Sequence, residues 1–94
     1  MEIFTTTSHS EIRMWVESRG GHPAVDRHGV RLRIDFDSRK ADQQRDTTVR
    51  RIPWDDFFRR FDEGNMQFVY QNAGRDGVTS RYYRIMDPRE DPQT

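Results

Sequence analysis

The side chains able to do chemistry in this chain are few and scattered. Its three histidines, His9, His22 and His28, stand 13 and 6 positions apart, which matches no metal-ligand signature. There is no cysteine, so thiolate metal sites, disulfides and a cysteine nucleophile are excluded. Ser8, Ser10, Ser18, Ser38 and Ser80 lie in no elbow motif. Asp55-Asp56 and Asp62-Glu63 are adjacent carboxylates, but neighbours along a helix point about 100° apart and cannot converge on one reacting atom. Arg19-Gly20-Gly21-His22-Pro23 has too few glycines for a phosphate loop and follows a helical pattern instead of opening one. It reads as a helix stop whose exposed corner makes Arg19 and His22 candidate binding residues. These patterns give no catalytic, cofactor or metal residues, and the expectation is a protein that is not an enzyme.

Arginine is the exception. Of 16 basic residues only Lys40 is lysine, and 16 acidic residues bring the net charge to zero. Arg31 and Arg33 alternate with apolar residues and so project from one face of a strand, with Arg81 and Arg84 in a second strand. Together with Arg19 and His22 these four make up the candidate binding surface. Interleaved with Tyr70, Tyr82 or Tyr83, such a face suits single-stranded nucleic acid through stacking and phosphate contact. Balanced by Asp26, Asp35 and Asp76, it is equally a set of cross-strand ion pairs. The neutral total favours the ion pairs.

The elements that must hold these residues follow from periodicity. Ser8-His9-Ser10-Glu11 fits a capping box, and Ile12, Trp15 and Val16 then fall on one helical face, predicting a helix over 10–19 that Gly20-Gly21 and Pro23 end. Glu2–Thr5 is available as an edge strand. Val30, Leu32, Ile34 and Phe36 alternate with charged residues, predicting a half-buried strand with all four inward. Arg27-His28-Gly29 reads as a tight turn, with 24–26 a short strand before it. Residues 37–46 are polar without periodicity, which predicts a mobile loop, and 47–52 can be extended ahead of Pro53. Trp54, Phe57, Phe58 and Phe61 mark an amphipathic helix ended by Gly64-Asn65. Residues 66–70 and 78–86 read as a hairpin around a turn at 72–77, in which Tyr82, Tyr83 and Ile85 cannot all share one face.

The predicted fold is α+β in the order α-β-β-α-β-β: an antiparallel sheet of three to five strands with two amphipathic helices on one face, leaving Arg31, Arg33, Asp35, Gln67 and Val69 on the other. A single domain spans 1–86, and 87–94, with Pro88 and Pro92, is a disordered tail. Eleven aromatics supply the buried area that few aliphatics cannot. No apolar run reaches membrane-spanning length, and the N-terminal residues lack the pattern of a signal peptide, so the expected location is cytoplasmic.

Three stretches carry a resemblance: Ile12-Arg13-Met14-Trp15-Val16-Glu17-Ser18-Arg19-Gly20-Gly21-His22-Pro23-Ala24, Leu32-Arg33-Ile34-Asp35-Phe36, and the run from Ile52 to Glu63 that begins Ile52-Pro53-Trp54-Asp55-Asp56. With Phe68-Val69-Tyr70-Gln71, Asp76-Gly77 and Ser80-Arg81, the chain resembles a family of small bacterial proteins of unassigned activity. Some of its members carry the label of 1,4-alpha-glucan branching enzyme. Pro53 stands where the family pattern has a serine-like helix cap. The resemblance implies a fold and a bacterial source. It implies no branching activity, because that chemistry needs a carboxylate pair on a barrel of about 250 residues. The functional expectation is therefore an interaction module that self-associates or docks a protein partner, with nucleic-acid binding as the alternative and no membrane role.

Overall fold

The computed structural model describes residues 2–37, 48–73 and 80–88. Eight elements follow in order: β1 (Ile3–Thr6), α1 (His9–Glu17), β2 (Gly21–Asp26), β3 (Leu32–Phe36), β4 (Val49–Arg51), α2 (Trp54–Glu63), β5 (Gln67–Gln71) and β6 (Tyr83–Met86). All strand pairings are antiparallel. The expected single sheet is in fact two three-stranded sheets, ordered β1-β5-β6 and β3-β2-β4. The predicted order omitted β1 and β4, which form at the segments 2–5 and 47–52 read as available for extended structure.

Helix α1 starts where Ser8 Oγ accepts the Glu11 amide, but only half of the predicted capping box forms. The Ser8 amide donates instead to Thr6 Oγ1 at 3.0 Å. The Glu11 carboxylate is occupied elsewhere, accepting from Thr6 Oγ1 at 3.0 Å and from the Tyr70 hydroxyl. Burial, reinforced by that carboxylate, pushes the Tyr70 phenol up to about 12. Helix α1 buries Ile12, Trp15 and Val16 as its periodicity requires, and it ends at Glu17, two residues before the predicted stop. Gly20, at φ 70°, turns the chain directly into β2.

Strand β2 is twice the length expected, and Pro23 sits inside it. The register explains why a central strand tolerates proline. Pro23 faces Ile34 of β3 as a pair that exchanges no hydrogen bond, since the bonds fall at neighbouring rungs such as Asp37 N–H to the Gly20 carbonyl at 2.8 Å. Towards β4 it lies just past the last paired residue, and its carbonyl accepts the Ile52 amide at 2.9 Å. The missing donor thus falls at the end of a ladder.

Val30 does not face inward. It is 70% exposed, because the Asp26 carboxylate accepts the His28 and Val30 amides at 3.1 and 3.0 Å and curls residues 27–31 into a turn. The strand proper begins at Leu32. Those amides hold the Asp26 carboxyl below its usual range, the Val30 bond contributing most.

Helix α2 places Phe57 and Phe61 in the core, with Trp54 and Phe58 packed against its margin. Phe58 stacks on Trp54, their centroids 5.0 Å apart, and on His9 of α1 at 4.1 Å. Trp54 Nε1 donates to Glu17 at 3.0 Å, so polar and aromatic contacts both tie the helices together. Asn65, at φ 52°, takes the left-handed position after the Gly64 cap, and the Asn65 and Met66 amides return to Asp62 and Phe61.

One core joins both helices to the inner faces of both sheets, through Val25, Leu32 and Ile34 on one side and Phe68 and Tyr70 on the other. Trp15 sits at the junction. Its ring meets Phe36, Phe68 and Tyr70 at centroid distances of 6.4, 5.5 and 5.7 Å, and its Nε1 donates to the Gln71 carbonyl at 3.0 Å. Tyr83 and Ile85 face this core while Tyr82, Arg84 and Met86 point away. The predicted loop at 37–46 lies outside the described residues except for Asp37. So do most of the predicted turn at 72–77 and the tail beyond Pro88.

A cleft between two strand edges

The two sheets meet at their edge strands, β3 and β6. In an antiparallel pair, alternate residues turn their backbone groups towards the partner and the rest turn them away. The Asp26 amide bonds the Arg31 carbonyl at 2.9 Å and the Asp37 amide bonds that of Gly20, so Leu32, Ile34 and Phe36 of β3 point their N–H and C=O groups away from β2. In β6 the Gln71 amide bonds the Tyr82 carbonyl at 3.3 Å, so Tyr83 and Ile85 point theirs away from β5. Both sets face the gap.

The gap closes at one end. There the Tyr83 hydroxyl accepts the Ile34 amide at 3.1 Å, and the Arg81 guanidinium lies 5.1 Å from the centroid of Phe36. Arg33 and Arg84 both line the space beyond these contacts, as do Leu32 and Ile85. Beyond Tyr83 the strands part around a cleft of about 320 Å³. Leu32, Met66, Tyr83 and Ile85 form its apolar floor, Arg31, Arg33 and Arg84 its rim, and Val30 and Asp87 its open end.

The structure thus gathers four of the six sequence-predicted site residues, three on the rim and Arg81 behind the closed end. Arg19 and His22 are elsewhere. Arg19 is a clamp: its guanidinium lies 4.4 Å above the Trp15 ring and donates to the carbonyls of Trp15, Asn72 and Ser80. Burial pulls its pKa down. His22 Nε2 lies 3.1 Å from Asp37 Oδ1, which also accepts from Arg51 Nη2 at 2.9 Å. The His22 and Arg51 bonds, in that order, hold the Asp37 carboxyl below its usual range.

Arg51 also bonds Asp35 at 2.7 Å, and this corrects the expectation of an open sheet face. Asp35 is only 4% exposed, and Ala24, flanked by Arg33 and Arg51 on the same face, is fully buried. On the outer face of the β3-β2-β4 sheet Arg51 thus bridges Asp35 and Asp37. Periodicity could not pair Arg51 with Asp35 and Asp37, because a three-residue strand and the end of a polar run carry no pattern. Nor could sequence reasoning find the cleft floor, since Met66 and Ile85 read as ordinary core positions.

Of the three tyrosines considered for stacking, Tyr70 and Tyr83 face inward and Tyr82 is exposed. Among the described residues no group of three or more His, Asp or Glu side chains is placed to hold a metal ion, and no helix is long and apolar enough to cross a membrane.

These features define a small α+β domain in which two antiparallel sheets share one core and leave a cleft between their edges. The chain matches no family model, no curated protein and no solved structure.

Proposed function

We propose that this chain is a non-enzymatic interaction module that docks a protein partner, or a second copy of itself, at the cleft between β3 and β6. The observation that carries this reading is the pair of facing strand edges. Unpaired edges invite another strand, and proteins usually cover or blunt them. Here two edges flank an apolar floor, the arrangement in which an extended segment gains main-chain hydrogen bonds and side-chain burial together. Kinship with the small bacterial proteins that the sequence resembles, and a cytoplasmic location, belong to the same proposal.

Panning a displayed random-peptide library against the protein tests it. Enriched peptides should bind the wild type, lose binding to the folded variant Ile85→Trp, which fills the cleft floor, and shift the backbone amide resonances of Tyr83 and Ile85. Peptides that bind both proteins equally, or no enrichment at all, would refute docking at this cleft. The nucleic-acid alternative is favoured by one feature, the exposed Tyr82 two residues from Arg84. It requires single-stranded DNA or RNA to bind with a steep salt dependence, and the absence of binding at low salt removes it.

A further inference from the structure

We infer that the occupant of the cleft is an acidic extended segment, one that alternates apolar side chains with carboxylates. The inference rests on the docking reading and adds the chemistry of the ligand.

Its first support is charge. Arg13, Arg51, Arg59 and Arg60 each hold a carboxylate within 3.2 Å. Arg33 and Arg84 differ: among the described residues neither has an ion pair, and both line the cleft. Like charges on one cleft rim repel, and an anion between the two guanidinium groups offsets that repulsion. Arg31 and Asp87 have partners of their own.

Geometry supplies the second support. A strand paired on the edge of β3 or of β6 lies about 4.8 Å from it, within reach of that edge's long arginine side chain. Successive side chains of that strand point to opposite faces. Those on the core side meet Leu32 and Ile85, and those on the outer side pass between Arg33 and Arg84. Carboxylate is the group that arginine forks recognise in pairs. Nucleic acid would use the same cations but would also need exposed rings for its bases. The one ring in the cleft, Tyr83, has its hydroxyl committed to the Ile34 amide.

The probes are fluorescein-labelled pentapeptides, one alternating valine with glutamate and the other valine with glutamine, with oligothymidylate as competitor. Fluorescence anisotropy should show the glutamate peptide binding about tenfold more tightly at low salt, with the difference shrinking as salt rises. The double variant Arg33→Gln/Arg84→Gln, at two exposed positions without ion pairs, should bind both peptides alike. Equal binding of the two peptides to the wild type, lost in Ile85→Trp, would sink the acidic preference and leave docking at the cleft standing. If neither peptide binds, both readings fall. Displacement of the glutamate peptide by equimolar oligothymidylate would overturn the peptide in favour of nucleic acid.

Discussion

Gly21 offers the sharpest test of how β2 seats against α1. A β-carbon built at this position would lie 2.8 Å from Val16 Cγ1, 3.0 Å from Ile34 Cγ2 and 3.1 Å from Phe36 Cε1. All three are closer than real β-carbons normally approach. Backbone strain plays no part, because among the described residues the left-handed glycines are Gly20 and Gly29. Relief is difficult: Val16 is fully buried, and a helical valine has one strongly preferred rotamer. Overpacking of this kind costs about 1–3 kcal/mol. Restricting the unfolded chain on replacing glycine returns about 0.4–1 kcal/mol. The net expectation for Gly21→Ala is a loss of about 1–2 kcal/mol, or roughly 5–15 °C in Tm for a domain of this size. Urea denaturation should show a lower midpoint with an unchanged slope. Val16→Ala alone should cost about 2 kcal/mol by emptying a buried site. The double variant should lose about 1 kcal/mol less than the two single losses combined, because the smaller helix residue makes room for the new methyl. A Gly21→Ala protein as stable as the parent, or strict additivity with Val16→Ala, would show that α1 does not press on β2 as described.

Two further outcomes follow from named contacts. Arg19→Met removes the clamp on the Trp15, Asn72 and Ser80 carbonyls and should cost about 2 kcal/mol in thermal or urea unfolding. Arg19→Lys should recover less than half of that, since a single ammonium cannot span three carbonyls, and full recovery would refute the clamp. Asp26, Asp37 and Asp56 all have lowered native pKa values, held down first by the Val30 amide, by His22 and by Arg59 respectively. Their contribution to stability is therefore complete above the unfolded aspartate value of about 3.9 and is lost as pH falls through the lowered native values. Urea midpoints measured on the acid side should decline below about pH 4 and hold level just above it. Asp37→Asn should flatten part of that decline, and an unchanged acid limb would contradict the contacts assigned to Asp37.

Local pattern was enough to specify much of this protein. The inward sets Ile12-Trp15-Val16, Leu32-Ile34-Phe36, Phe57-Phe61 and Phe68-Tyr70 follow from the periods of helix and strand, which are properties of consecutive residues. Ser8 as a cap and the absence of a cysteine or a metal-ligand spacing are legible in the same way. Val30 shows the limit within a single segment. Its alternation was right, but a carboxylate four residues earlier captured its amide and kept it out of the strand.

The tertiary structure decided the rest. Whether β3 and β6 would pair or stand apart depends on how two chain segments some 50 residues apart pack against a shared core, and neither segment records the other. The same holds for Arg51, whose short strand gives no pattern but whose guanidinium buries Asp35. Arg33 and Arg84 were visible from the start as outward-pointing cations. That they line one cleft, while Arg19 clamps three carbonyls instead, is decided by the packing of the two sheets, because only the folded chain brings their edges together.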